Sequence, residues 1–322
     1  MLSLPDFKEK NIVICFATEG QRISFKNDNL LISDKEDTVI LQTTCHKIFS
    51  LWIVGSITIT SGILQRSKKF AFSIYMLSYS HRLYGMWGSA TEGNFLLRRK
   101  QYKYEDMDIA RNLVENKIAN QRQLLATIRK KDWEQKEAIE RLAEYQLQAG
   151  QAKSLKPLLG IEGVASRAYF KAWFKDMGWK GRKPRTKIDL LNTTMDIGYT
   201  YLFNIIECML NLYGFDLYQG VYHQSFYQRK SLVCDLVEPF RCIVDKQIKK
   251  AHGLKQLQPD DFREQKGQYF LKIEKNKAYT RWIIQGILAH KEDMFSYVQE
   301  YYRCFMRAKA IEEYPVFTLK DN

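Results

Sequence analysis

The spacing of apolar residues changes near residue 90 and divides the chain into two parts. Before this point short β-branched runs such as Asn11–Phe16 alternate with polar turns, which is typical of paired strands. After it, apolar residues recur about every 3.6 positions, as in residues 106–129, which is typical of amphipathic helices. A loop rich in small residues, 85–93, joins the two parts.

The two patterns predict an α+β fold with a small N-terminal β domain, residues 1–88, followed by a larger all-α domain, residues 93–322. Strands are predicted at 11–16, in the segments QRISF and LLIS, and at 38–42, 50–59 and 70–77. Helices are predicted at 106–129, 133–147, 155–174, 190–213, 231–250 and 281–309.

The chain is strongly basic, with 50 Lys and Arg against 36 Asp and Glu and a formal net charge of +14. Such an excess favours an anionic partner, most often nucleic acid. Residues 1–90 carry only +3 of it, so the predicted phosphate-binding surface belongs mainly to the helical part. The basic residues that we expect to contact DNA lie in the loop 180–187 and in a pair before residue 231: Lys180, Arg182, Lys183, Arg185, Lys187, Arg229 and Lys230.

The cysteine spacing and the length of the longest apolar stretch indicate the cell compartment. Six cysteines show no CxxC pair or regular spacing, so reduced thiols are expected. The most apolar stretch, 49–64, is 16 residues long and contains several Ser, Thr and Gly residues. This is short of the roughly 20 residues that span a membrane. A cytoplasmic protein with no membrane contact is therefore predicted.

Glu162, in the segment LLGIEGVASRAYFKAWF, lies on a helix face that is otherwise apolar. At helical spacing its neighbours on that face are Leu158, Ala165 and Tyr169. A partly buried carboxylate needs a positive partner or a metal ion. Two interpretations stay open from this helix alone, namely an ion pair with a core-lining Arg or Lys and a metal ligand.

Three further residues could belong to the same site. His223, in GFDLYQGVYHQ, lies between glycines and aromatic residues near a predicted helix end, although a lone histidine is more often structural. Asp235 and Glu238 are three positions apart, which would place both on one face of a continuous helix. An ordinary solvated acidic face is the alternative for this pair.

These candidate residues suit chemistry at a phosphodiester. Two or three carboxylates with one imidazole are ligands that Mg²⁺ or Mn²⁺ accepts, because hard divalent ions prefer oxygen and Mn²⁺ tolerates histidine. The sequence has no Walker A loop, dinucleotide-binding glycine fingerprint, zinc-type cysteine spacing or serine-hydrolase elbow, so those classes of site are not predicted.

Several segments together resemble one family, the CRISPR-associated integrase of the spacer-acquisition module (CRISPR-associated protein one). The resemblance covers most of the chain, and the order and spacing of the segments are more specific than any one of them. The matching segments are ATEGQRISFKNDNLLI, GNFLLRRKQY, ENKIANQRQLL, LLGIEGVASRAYF, RKPRTKIDLLNTTMDIGYTYLF, GFDLYQGVYHQ and SLVCDLVEPFRCIVD.

The resemblance implies a catalytic site and a reaction. Glu162, His223 and Glu238 match the family's metal ligands for Mg²⁺ or Mn²⁺, and Asp235 matches a supporting catalytic group or an additional ligand. The implied reaction inserts foreign-DNA spacers into a CRISPR array, with the 3′-OH of the incoming duplex attacking a phosphodiester at a repeat boundary. Water in place of the 3′-OH would give nuclease activity.

The resemblance also implies partners. These are double-stranded DNA, both spacer precursor and CRISPR repeat, a second copy of the chain in a homodimer, and the small CRISPR-associated protein two in a heterohexamer in a prokaryotic cytoplasm. The homodimer is expected to form through the β domain, whose apolar run 49–64 exceeds what one small sheet needs to bury. Flexibility in the loop 85–93 is expected to let the helical domains take different orientations.

Two other functions remain alternatives. A structure-specific nuclease could use the same residues to cut branched DNA without joining strands. A non-catalytic nucleic-acid-binding scaffold would need only the basic residues, with the acids on a solvated face.

Overall fold

A computed structural model describes residues 2–88 and 93–319 of the chain. Residues 89–92 of the predicted junction 85–93 and the last three residues of the predicted helical domain lie outside the described residues. The boundary between residues 88 and 93 and the flexibility of the loop therefore stay predictions.

The N-terminal part contains two sheets. Strands β1, β5 and β6 are parallel neighbours and β7 is antiparallel to β6, while β2, β3 and β4 form an antiparallel meander. Helix α2 is the crossover that two adjacent parallel strands, β5 and β6, require. The elements are α1 (Leu4–Lys8), β1 (Asn11–Phe16), β2 (Arg22–Lys26), β3 (Asn29–Ser33), β4 (Val39–Thr44), β5 (Ile48–Val54), α2 (Ser61–Phe70), β6 (Ser73–Leu77) and β7 (Leu83–Trp87).

Two predictions in this part are wrong. The strand predicted at 50–59 ends at Val54, and the segment between it and the next predicted strand contains helix α2, whose buried residues Ile63, Ser67 and Phe70 show a helical period. The segment at 85–87, predicted as a loop, belongs to β7. Gly85 lies opposite Met76 of β6 in this pairing. A Cβ atom at position 85 would lie 2.7 Å from the Met76 side chain, which is too close, so glycine fits there without a clash.

The C-terminal part is helical, as predicted, and the α+β fold class is confirmed. It also contains a small hairpin, β8–β9, so it is not purely α-helical. Its elements are α3 (Phe95–Lys103), α4 (Asp108–Ala126), α5 (Trp133–Gly150), α6 (Leu155–Trp173), α7 (Leu190–Asn211), α8 (Ser231–Val237), α9 (Arg241–Gly253), β8 (Phe262–Gln265), β9 (Gln268–Leu271), α10 (Asn276–Leu288) and α11 (Lys291–Arg307).

Two predicted helices are each divided. The helix predicted at 231–250 is interrupted by a 3₁₀ turn, Glu238–Phe240. Pro239 lacks the N–H that a continuous α-helix would use, and its ring clashes with the preceding turn, so the chain changes direction there. The helix predicted at 281–309 is instead α10 followed by α11, which begins at Lys291.

The two parts of the chain share apolar packing across strand β5. Every residue of β5 is buried. Leu51 and Ile53 join the smaller core of the N-terminal part, whereas Trp52 and Val54 join the larger core of the helical part. The Trp52 ring centroid lies 5.2 Å from that of Tyr201 on α7.

The burial of β5 changes the interpretation of the apolar run 49–64. The residues of this run that lie in β5 are buried by the two cores of the same chain. The inference that they form extra apolar surface for association with a second copy is therefore wrong. Three exposed apolar residues of the N-terminal part instead follow one another on β4, an edge strand of the meander, namely Val39, Ile40 and Leu41, while exposed aromatic residues lie at Tyr79, Tyr84 and Trp87. All six cysteines are free thiols, and within residues 2–88 and 93–319 no helix is long and apolar enough to cross a membrane.

Candidate functional site

Two regions that are distant in sequence meet at helix α4, namely α6 and the continuous stretch 212–240. Helix α4 packs against α6, which carries Glu162, and against α8 and the 3₁₀ turn, which carry Asp235 and Glu238. The irregular chain between α7 and α8 supplies His223. The fold therefore brings together the four residues that the sequence singles out.

Lys117 on α4 lies between two of the candidate acids. Its Nζ atom pairs with Oε1 of Glu162 and, at 2.6 Å, with Oε2 of Glu238. The Lys117 side chain is only 8% exposed, against 22% for Glu162 and 5% for Glu238. The ion-pair alternative for Glu162 is thus what the structure contains, and the partner is a core-lining lysine.

Glu238 has a second cationic partner one turn further on. Nε of Arg241 lies 3.0 Å from Glu238 Oε2, and the Arg241 guanidinium covers the ring of Tyr199 at 4.7 Å. Burial alone would raise the pKa of Glu238, but the positive charges of Arg241 and Lys117 outweigh it and lower the pKa to about 2. Glu238 is therefore ionised at neutral pH although it is buried.

Asp235 holds the loop that carries His223. Its Oδ1 atom lies 2.7 Å from the His223 ring Nδ1 and also accepts a hydrogen bond from the His223 backbone N–H at 2.8 Å. Its Oδ2 atom accepts hydrogen bonds from the backbone N–H groups of Val221 and Tyr222 at 2.6 and 3.1 Å. Asp235 is fully buried, and these donors satisfy its charge.

This arrangement assigns different tasks to the two acids of the pair. A carboxylate can only accept, so Nδ1 of His223 carries the proton and Nε2 is left with a free lone pair. Asp235 consequently orients the imidazole, as carboxylates commonly do for catalytic or metal-binding histidines. The solvated acidic face that was the alternative for Asp235 and Glu238 is wrong, because both residues are buried.

Tyr222 lies among the acids of the site. Burial raises the pKa of its hydroxyl, and the negative charges of Glu162, Glu238 and Asp235 raise it further. That hydroxyl is buried and has no hydrogen-bond partner among the residues that the structure describes. The tyrosine ring also packs against the His223 ring, with centroids 4.8 Å apart. The site thus includes an unsatisfied polar group beside its carboxylates.

The donor chemistry fits a hard divalent cation. Glu162 and Glu238 offer carboxylate oxygens, and His223 offers Nε2, a set suited to Mn²⁺ or Mg²⁺. In the described ranges no cluster of three or more His, Cys, Asp or Glu side chains forms a ready-made metal site. The cation that pairs with both glutamates is the Lys117 ammonium, which a metal would have to displace.

The basic loop 180–187 contains two kinds of residue. Lys180, Lys183 and Arg185 are exposed. Arg182 instead pairs with Asp196 at 2.6 Å and contacts the Tyr199 ring at 5.4 Å. Lys187 is partly buried, with Nζ 4.3 Å from the centroid of a phenylalanine ring. Of these five basic residues, Lys180, Lys183 and Arg185 are therefore the ones whose charge is exposed to a phosphate backbone.

Arg229 and Lys230 both have partners inside the chain. The Arg229 guanidinium donates to the carbonyl oxygen of Gln224 and, at 3.3 Å, to the hydroxyl of Ser231. Lys230 pairs at 2.5 Å with Glu207, which is fully buried on α7. These contacts close the loop that carries His223, and a role of either residue in DNA binding stays a prediction.

Lys117 and Arg241 are the site residues that sequence reasoning missed. A signal for Lys117 was present, because it lies at helical spacing from Leu113, Val114 and Gln121, all buried on α4. A lysine on a buried stripe needs an anionic partner. Its partners could not be identified from the sequence, since they lie 45 and 121 positions further along the chain.

Comparisons with known proteins identify a family for the chain. A family model described as CRISPR associated protein Cas1 matches residues 14–283. The chain is 30% identical over 256 residues to the CRISPR-associated endonuclease Cas1 1 of Thermodesulfovibrio yellowstonii, covering 72% of this chain and 79% of the relative.

Two solved structures have a similar fold. A Cas6-RT-Cas1–Cas2 complex chain matches with a TM-score of 0.82 and 20% identity, covering 97% of this chain and 36% of that chain. A casposase bound to integration product matches with a TM-score of 0.78 and 17% identity, covering 97% of this chain and 96% of that one.

The first prediction concerns Asp235. We expect Asp235→Asn to free the His223 ring. Both oxygens of the Asp235 carboxylate accept hydrogen bonds from backbone N–H groups. In asparagine an NH₂ group replaces one of these oxygens, so a donor would face a donor and the loop contacts would be weakened. Long-range ¹H–¹⁵N spectra should change from a single Nδ1–H tautomer to a mixture at His223, while exposed His252 on α9 serves as the internal reference. Unchanged His223 signals would show that Asp235 does not position the ring.

Proposed function

The chain belongs to the CRISPR-associated Cas1 family, and on that premise we propose that it is a divalent-metal-dependent DNA endonuclease and integrase that inserts foreign-DNA spacers into a CRISPR array. The observation that carries the proposal is the buried arrangement of Glu162, Lys117 and Glu238 beside an imidazole fixed by Asp235. A relative named as an endonuclease and a structural neighbour bound to integration product support it.

The proposed reaction is a transesterification at phosphorus. The 3′-OH oxygen of the incoming DNA forms a new P–O bond at a repeat boundary, and the bond to the 3′ oxygen of the repeat strand breaks. The attacking hydroxyl loses its proton, and the leaving 3′ oxygen gains one. Water as the attacking group gives hydrolysis instead, so one site accounts for both activities.

Each side chain has a separate task in this reaction. Glu162, Glu238 and Nε2 of His223 would hold Mg²⁺ or Mn²⁺, which when bound polarises the scissile phosphate and stabilises the leaving oxygen. Asp235 keeps Nδ1 protonated, so that Nε2 stays available. Arg241 balances the charge of Glu238, and its guanidinium is held in place by the Tyr199 ring.

DNA binding is proposed to rest on the exposed part of the basic loop. Lys180, Lys183 and Arg185 can reach phosphates without breaking an ion pair. Arg182 is proposed to shape the loop instead, because it pairs with Asp196 and donates to Asn192 Oδ1 at 3.0 Å.

The proposed assembly is a homodimer that joins with Cas2 in a heterohexamer. A structural neighbour is a Cas6-RT-Cas1–Cas2 complex, which supports the second partner. The exposed apolar residues of β4 support the first, because an apolar edge strand in water invites pairing with another chain.

A nuclease that cuts branched DNA would use the same site for hydrolysis alone, so strand joining is the discriminating activity. A non-catalytic scaffold has less support, since it does not explain why a buried lysine pairs with one buried and one partly buried carboxylate.

Removal of any proposed ligand should abolish chemistry but spare DNA binding. We expect Glu162→Gln, Glu238→Gln and His223→Ala each to lower joining of labelled donor to a repeat-bearing plasmid at least about a hundredfold, a typical loss for a group that stabilises the transition state. Gel-shift affinity should stay within about threefold, because phosphate affinity resides in basic residues. Glu140→Gln, on the exposed face of α5, is the matched control.

A His223→Ala variant with near-normal metal-dependent joining would contradict the assignment, and this variant leaves the ion pairs of Lys117 intact. Cleavage that persists without any joining in the native protein would favour the branched-DNA nuclease.

The exposed residues of the basic loop should bind phosphate without reading sequence. We expect Lys183→Gln with Arg185→Asn to weaken binding to unrelated duplexes alike and to flatten the log–log salt dependence by about 0.9 per lost contact. Asparagine is chosen because Arg185 has a φ of 64°, a region that asparagine tolerates. Lys68→Gln with Lys136→Gln, both exposed elsewhere, is the control. A loss confined to one DNA sequence with an unchanged slope would argue for base contacts.

Self-association should depend on β4. We expect Ile40→Lys to convert the dimer into a monomer in sedimentation velocity, because it places a charge in the proposed apolar interface. Leu147→Lys, at an even more exposed apolar position on α5, should remain dimeric. A point substitution is preferable to deleting the N-terminal part, which would expose the core shared across β5. A dimeric Ile40→Lys protein would place the interface elsewhere.

A further inference from the structure

Lys117 is an unusual residue to bury beside two carboxylates. A buried ion pair adds little net stability compared with well-packed apolar residues, because desolvation of the charges offsets their attraction. Glu238 already has a cationic partner in Arg241, and Glu162 Oε1 accepts a hydrogen bond from Ser166 at 2.9 Å. Folding alone therefore does not account for the ammonium.

The ammonium occupies the position that a metal would need. Its Nζ atom contacts Oε1 of Glu162 and Oε2 of Glu238, which are oxygens of the two carboxylates proposed as metal ligands. An ammonium and a divalent cation held by the same two carboxylates repel each other strongly at this range in a largely buried site. Binding of one must move the other.

The entry of a metal would reverse the sign of the net charge in the site. Three carboxylates, those of Glu162, Asp235 and Glu238, face two cations, those of Lys117 and Arg241, and leave a net charge of −1. A divalent ion changes this to +1 in a largely buried site, with His223 counted as neutral. One phosphodiester group, which carries −1, restores neutrality.

We propose that Lys117 is a built-in competitor of the metal that couples metal binding to DNA binding. In the absence of DNA, its ammonium holds the two glutamates together and weakens their affinity for a divalent ion. When DNA is present, the scissile phosphate provides a new counter-ion for the displaced ammonium. Metal and DNA then each raise the affinity for the other by the same factor. This inference rests on the proposed function, because it uses the same ligands.

The test measures Mn²⁺ binding, not catalysis. Isothermal titration of Mn²⁺ is carried out with and without a short duplex DNA on the native protein, Lys117→Met and Lys117→Arg. Lys175→Met is the matched control, since Lys175 also pairs with two acids but on the exposed surface. Native protein, Lys117→Arg and Lys175→Met should bind Mn²⁺ at least about tenfold more tightly with DNA than without it.

Lys117→Met should bind Mn²⁺ at least about tenfold more tightly than the native protein in the absence of DNA, and DNA should add little. Mn²⁺ affinity in Lys117→Met that is no higher than in the native protein overturns the inference. If Lys117→Met does not fold, the native protein still decides, because equal Mn²⁺ affinity with and without DNA also overturns it.

One further variant separates this inference from the proposed function. Glu162→Gln should abolish Mn²⁺ binding if the ligands are correctly assigned. Mn²⁺ binding that needs Glu162 but is independent of both Lys117 and DNA overturns the coupling alone. Absence of Glu162-dependent Mn²⁺ binding under every condition overturns the coupling and the proposed metal site together.

Discussion

The compensation of buried carboxylate charge is the constraint on which the site depends. Glu238 and Asp235 are both removed from water, and the fold compensates them in different ways. Glu238 faces two cations from α4 and α9, whereas Asp235 faces backbone N–H groups and an imidazole. Breaking a buried pair typically costs about 3–5 kcal/mol. The site can therefore form only when these elements pack together.

The position of His223 is a property of the backbone around it. The chain between α7 and α8 contains no regular element, yet Asp235 binds three of its N–H groups. Gly220 allows this close approach, because a Cβ atom there would lie 2.7 Å from Asp235 Oδ2. Lys230 anchors the end of the loop on buried Glu207. The imidazole is thus positioned by hydrogen bonds from the loop backbone to Asp235 and not by a helix or strand.

The sequence was sufficient where the signal is local. Helices α4, α5, α6 and α7 were predicted within a few residues, because long apolar periods specify them. Strand β7 and the separation of α10 from α11 were missed, because pairing and packing with distant segments decide them. Likewise, Glu162, His223, Asp235 and Glu238 could be selected by residue type, but nothing local paired Arg182 with Asp196 or Lys230 with Glu207. The basic loop was consequently predicted to be uniform, although part of it serves the fold.

The surroundings of the site also bear on where a nucleophile comes from. Cys234 on α8 is the nearest thiol in sequence to Asp235 and Glu238. Burial is the main cause that raises the pKa of this thiol to about 11. The charge of Arg241 lowers the pKa, and the negative charges of Glu238 and Asp235 raise it. A thiol with such a pKa is almost entirely protonated at neutral pH and is a poor nucleophile. Ser231, at the start of α8, donates its hydroxyl hydrogen to the carbonyl oxygen of Gln224. Neither Ser231 nor Ser225, the serine closest in sequence to His223, bonds to the His223 ring in the described contacts. None of these side chains is therefore placed as a nucleophile, which agrees with the proposed reaction, in which the attacking oxygen belongs to DNA or water.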